Sequence, residues 1–245
     1  MSTGIRVAVV VAMLSVAANV DAAELTTRQV IEALQRATPE TPADFSGKDL
    51  KFLDLSDLDF AHANFSGADL RSANLTGANF AEADLSGADL TRTIIIRANF
   101  TGADLSKANI YRPVTYSTVD TAPSEMPIFK EAKFSGARLV VHLIHADLSG
   151  ADFSNVRLEL RREDLFMASQ IWWSNLAGAN FAGANLSGII IATSDLSHVN
   201  LSGANLALTK IFRCDLTGAD LTGTDLQAAS MKDTIVKGVT GLAAP

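Results

Sequence analysis

The chain has 245 residues, 48 % hydrophobic and 19 % charged, with a net charge of −7. This composition supplies a sizeable interior and excludes a long disordered chain, while the acidic balance gives no basic footprint for nucleic acid. One cysteine and four histidines exclude an intrachain disulfide and any cysteine-rich metal site.

Residues 1–22 read as a secretory signal peptide. Arg6 forms a short positive region, Val7 to Val16 an apolar core, and Val20-Asp21-Ala22 a cleavage site after Ala22. The apolar run is short for a bilayer crossing, so no membrane insertion is expected after cleavage. A periplasmic or secreted mature chain follows. Residues 23–42 follow as a capping segment and linker. Thr26-Thr27-Arg28-Gln29 is a capping box, and Leu25, Val30, Ile31 and Leu34 form an apolar stripe. Together they predict a short amphipathic helix over Thr26–Arg36 that closes the body behind it, ended by Pro39 and Pro42.

From residue 43 one motif repeats with a period of five, as in Ala73-Asn74-Leu75-Thr76-Gly77. With the central large apolar residue called i, alanine falls at i−2 and Asp or Asn at i−1. Residues 43–112 hold 14 repeats, 127–160 seven and 164–238 fifteen, and ten of the 12 phenylalanines occupy i. Five matches neither a helix nor a long strand. It matches a coil in which each repeat forms one side and then turns, with i and i−2 on the inner face. Four sides make a coil of 20 residues, and successive coils pair as parallel strands. These residues resemble the pentapeptide-repeat family over roughly 43–238. The resemblance implies an all-β, right-handed quadrilateral parallel β-helix of nine coils, about 43 Å long at ~4.8 Å per coil.

The pattern breaks in three places. Residues 113–126 lose it and read as a loop, Ala137 to Val140 forms a four-residue repeat, and 161–163 are three extra residues. The tail 239–245 supplies no second cap. The family's better-known members, which protect DNA gyrase, dimerise through that end, so the resemblance implies a homodimer through the C-terminal coil.

Trp172 and Trp173 fall at i+1 and i+2, facing outward, with Ile190 one coil on and Phe212 two coils on, in line with Trp172. An exposed apolar strip of this kind marks a contact surface for a protein partner; Tyr111 and Tyr116, at and inside the first loop, complete the candidate residues. Lys51, Arg71, Arg92 and Arg112 recur about once per coil beside Tyr111, but Asp49, Asp69 and Asp89 neutralise much of this line, and it reads as a solvated face. Stacked carboxylates such as Asp44, Asp84 and Asp104 lack the converging spacing of a calcium loop. Cys214 replaces alanine at i−2, a small buried hydrophobe. No triad, paired catalytic carboxylates or phosphate loop is visible, so no enzyme activity and no cofactor are expected. The reading is an exported scaffold or protein-interaction module. A DNA-mimicking topoisomerase-binding protein is the first alternative, opposed by the signal peptide. An enzyme or metal-dependent binder is the second.

Overall fold

A computed structural model describes residues 23–115, 123–158 and 170–242. The expected signal peptide, Tyr116 and the expected 161–163 insertion lie outside the described residues. Within them the chain is the expected four-sided parallel β-helix with one short N-terminal helix. Residue i−1 of each side bridges residue i−1 one coil later, as in Asp44↔Asn64↔Asp84↔Asp104. Where pairing lengthens, strands appear. On one side lie β1 (Asn109–Tyr111), β2 (Arg138–Val140) and β4 (Arg157–Leu158). On the next lie β3 (His142–Ile144), β5 (Gln170–Trp172), β6 (Ile190–Ala192), β7 (Lys210–Phe212) and β8 (Ser230–Lys232). We number the sides 1 to 4 from those of Phe45, Leu50, Leu55 and Phe60.

The corner explains the motif. At most corners the N–H of residue i+3 donates to the carbonyl of i, as Ala63 does to Phe60 (3.0 Å), and residue i+2 is left-handed, as at Gly67 (φ 66°) and Ser72 (φ 58°). These are the features of a type II turn, hence the frequent glycine. The i−1 side-chain oxygen accepts the N–H of i+1, as in Ser46 to Asp44 (3.0 Å) and Ser66 to Asn64 (2.9 Å). Only an oxygen is needed, so Asp and Asn alternate freely. Aspartates so held ionise easily: the Ser56 and Thr217 side chains hydrogen-bond Asp54 and Asp215 and hold both carboxyls below the usual range.

Inside, alanine at i−2 makes room for the large residue at i. Nine phenylalanines run along the axis. On side 4, Phe60, Phe80, Phe100 and Phe129 stack at 4.9, 5.2 and 5.1 Å. The column then crosses to side 1 through Phe129–Phe134 (5.4 Å) and continues to Phe153 and Phe181 at 4.6 and 4.7 Å. These spacings follow the strand-to-strand distance, so each coil offers its ring to the next in offset-stacked contact.

Bridge offsets locate the irregularities. Ile94↔Val114 spans the regular twenty residues, and Asn99↔Ile128 spans twenty-nine. Nine residues are therefore inserted, but after residue 113 rather than from it. Val114 N–H donates to Thr93 O (2.8 Å), and Thr115 is 3 % exposed at an interior position. Pro113 is tolerated there because its preceding corner, at Arg112, makes no i to i+3 bond, and proline has no N–H to donate. On the far side of the loop, Glu125 O accepts Arg97 N–H (2.8 Å) and Met126 is buried. The four-residue side gives an offset of nineteen at Ile128↔Asp147, and Asp147↔Asn175 rises to twenty-eight. That offset is eight more than a regular coil, and the pairing resumes at Ile171 on the side after that of Leu158; the expected repeat at 164–168 lies outside the described residues. Thr115 enters the interior set.

The two ends differ. Helix α1 (Thr27–Arg36) has Thr26 as N-cap, with the reciprocal capping box closed by Gln29. Val30 is fully buried against the first coil, with Leu25, Ala33 and Leu34 beside it, whereas Ile31, expected in that stripe, is exposed. Lys48, at an i−2 position, escapes burial because this coil is the first, and its ammonium pairs with Glu24 (2.6 Å). At the other end Leu226 and Met231 are only half-buried, and Val236, at an interior position, is 44 % exposed.

Candidate functional site

Side 3 of the second half carries the expected aromatic strip. The pairing β3–β5–β6–β7–β8 aligns Ile144, Trp172, Ala192, Phe212 and Lys232 in one outward column. Trp172 is half-buried, Phe212 likewise, and Ala192 is buried between them despite pointing outward. Trp173 is 49 % exposed; its ring meets Trp172 edge-on (5.5 Å, 84°) and stacks on His145 (5.5 Å, 16°). The Trp172 indole N–H is enclosed and has no hydrogen-bond partner among the described residues. Ile190 stands in the neighbouring column, paired with Gln170 and Lys210.

These strands come with wider corners. Here the i to i+3 bond gives way to a side-chain bond: Ser174 N–H donates to Ser194 Oγ (3.1 Å). The i−2 residues donate to the strand carbonyls, Ser174 Oγ to Trp172 O (3.0 Å), Ser194 Oγ to Ala192 O (2.9 Å) and Cys214 Sγ to Phe212 O (3.4 Å). Cys214 therefore continues a hydroxyl column rather than merely replacing alanine. Burial pushes its thiol pKa up, so the reactive thiolate is disfavoured. Beside Trp173 the corner opens into a shallow hollow of about 450 Å³ that includes Thr193, Asp195, Arg213, Asp215 and Asp233.

The five described candidate residues do not form one surface. Trp172, Trp173, Ile190 and Phe212 share side 3. Tyr111 lies on side 2 of the first half, paired with Val140. Tyr116 lies outside the described residues. Sequence reasoning missed further outward apolar residues on side 3, namely half-buried Ile94, Ile96 and Ile144 and exposed Val114. A scan for apolar residues at i−1 and i+1, where the motif is polar, would have found them.

On side 2 the basic line resolves into two columns, Lys51 and Arg71 at i+1 and Arg92 and Arg112 at i+2. Lys51 Nζ pairs with Asp49 (2.9 Å), which raises the lysine pKa. The Arg71 Nε–H donates to Asp69 (2.8 Å), and this pairing holds the Asp69 carboxyl below its usual range. The Arg112 guanidinium lies 6.0 Å from the Tyr111 ring. Among the described residues no group of three or more His, Cys, Asp or Glu is placed to hold a metal ion, and no helix is long and apolar enough to cross a membrane.

Comparisons with known proteins agree with this architecture. A family model described as pentapeptide repeats (8 copies) matches residues 43–77, 54–92, 73–110, 174–211 and 194–238, more than half of the chain. A search of the curated proteins returns no match. Among solved structures the chain is similar to HetL, a pentapeptide repeat protein involved in heterocyst differentiation regulation in the cyanobacterium Nostoc sp. strain PCC 7120. The identity is 28 % and the TM-score 0.54, over 82 % of this chain and 87 % of that one. It is also similar to QnrB1, a plasmid-mediated fluoroquinolone resistance protein, at 23 % identity and a TM-score of 0.39 over 77 % and 86 % of the two chains. A pentapeptide repeat protein from the thylakoid lumen of Arabidopsis thaliana matches at 26 % identity and a TM-score of 0.29, over 54 % of this chain and 81 % of that one.

Proposed function

We propose that this chain, which belongs to the pentapeptide-repeat family, is a non-enzymatic, exported rod that binds a protein partner through side 3 of its second half. The observation that carries the reading is Trp172 aligned with Ala192 and Phe212, beside a half-exposed Trp173. Large aromatic rings left outward on a rigid ladder form an anchor with little entropy to lose on binding. Export rests on the signal-like residues 1–22. A second copy is a further partner for the C-terminal end, where Leu226, Met231 and Val236 leave apolar surface beside the last strand edge.

The test is cross-linking and capture from the periplasmic fraction, comparing wild type with Trp172→Ala/Trp173→Ala. A partner held by the first and lost by the second supports the proposal. Equal capture by both moves the contact to the loop or the C-terminal end. No partner, with the chain found in the cytosol, favours the topoisomerase-binding alternative.

A further inference from the structure

We infer that the first half carries a separate site on side 2 for a small organic anion, a phosphate ester or carboxylate attached to an apolar or aromatic body. A hollow of about 300 Å³ is lined by Lys51, Phe52, Arg71, Ser72, Thr91, Arg92 and Tyr111. Three cations and no carboxylate line it, on a chain whose net charge is −7.

The lining offers donors. Asp49 and Asp69 sit in the i−1 column, on the flank of the hollow, where they fix Lys51 and Arg71 in place. Arg92 has no ion pair among the described residues, which leaves its planar fork for a carboxylate or phosphate. Thr91 Oγ1 accepts from Asn109 Nδ2 (3.0 Å), so its own proton is available to a ligand. Arg71 and Arg92 belong to successive coils, about 4.8 Å apart along the axis, a separation that one oxyanion group spans.

Phe52 supplies the apolar end. It occupies the left-handed corner position common to the coils (φ 62°), with its side chain 54 % exposed. Tyr111 lies about three coils along the same side. Lys51, Arg71, Arg92 and Arg112 exceed Asp49, Asp69 and Asp89 by one charge, so binding depends on local convergence and weakens with salt. The site lies on a different side from Trp172 and Trp173, so its failure leaves the protein-contact proposal standing.

The experiment is calorimetric titration of the full chain with phenyl phosphate, benzoate and benzylamine. Phenyl phosphate or benzoate is expected to bind with a dissociation constant of about 1 mM or tighter, and benzylamine not to bind. Arg92→Gln should weaken the anion about tenfold or more, the loss of a charged hydrogen-bond donor. Phe52→Gly, which also relieves the corner, should bring phenyl phosphate down to the affinity of inorganic phosphate. Failure of both aromatic anions to bind, equal binding of benzylamine, or unchanged affinity in Arg92→Gln would overturn the inference.

Discussion

The interior of the first coils and that of the last are filled differently. From Phe45 to Phe181 a column of rings runs along the axis. Beyond Phe181 the interior is Leu186, Ile191, Leu196, Leu206 and their neighbours, while Trp172, Trp173 and Phe212 stand outside. The bridges keep the same twenty-residue offset in both regions, as in Asp59↔Asn79 and Asn200↔Asp220. Rings are thus not required to close the coil. They stabilise it where they lie inside, and the outward rings of side 3 stand apart from that column.

The largest effect tests the register common to both regions. Leu75→Asp places a charge where Leu75 is fully buried, and an unpaired buried charge is prohibitive. The variant should be insoluble or unfolded by circular dichroism; a soluble protein with unchanged melting would show that position i does not point inward. Next, Phe80→Ala removes the ring between Phe60 and Phe100 and should cost about 3–5 kcal/mol in urea unfolding. A loss below about 1 kcal/mol would mean the column does not hold the first half.

Much of this was legible in the period alone, because a residue at i must be large and apolar wherever a side closes. The errors lie where that rule and the backbone part company. Thr115 is polar yet interior, since the Val114 bridge, not the side chain, continues the coil. Trp172 could be aligned with Phe212 because no insertion falls between them. The hollow on side 2 was hidden because the sequence sets Asp beside Lys and Arg, whereas the fold puts the carboxylates on one flank and the cations on the other.

Smaller effects refine the contrast. Thr26→Ala removes the N-cap that orders α1 over the first coil and should cost about 1 kcal/mol, with no effect on the C-terminal coil; differential hydrogen exchange at the two ends would show it. Acid should act on both halves. The carboxyls of Asp54, Asp69 and Asp215 have lowered pKa values in the folded state, so the stability they give is present above their unfolded value of about 3.9. That stability is lost as pH falls through the lower folded values. Melting should be flat from neutral pH to about 5 and fall below about 4; a steep loss near neutrality would point to other groups. Trp173→Ala should change stability least, by about 0.5 kcal/mol, the lower end of what ring contacts contribute.

The central claim is that the outward rings of side 3 serve contact rather than closure of the coil, and equilibrium urea unfolding of Trp172→Ala/Trp173→Ala tests it most directly. A single transition with a loss below about 3 kcal/mol, two outward-ring truncations together, is the predicted result. A loss equal to or above that of Phe80→Ala, or a separate early transition of the second half, would contradict it by showing that these rings hold the coil together.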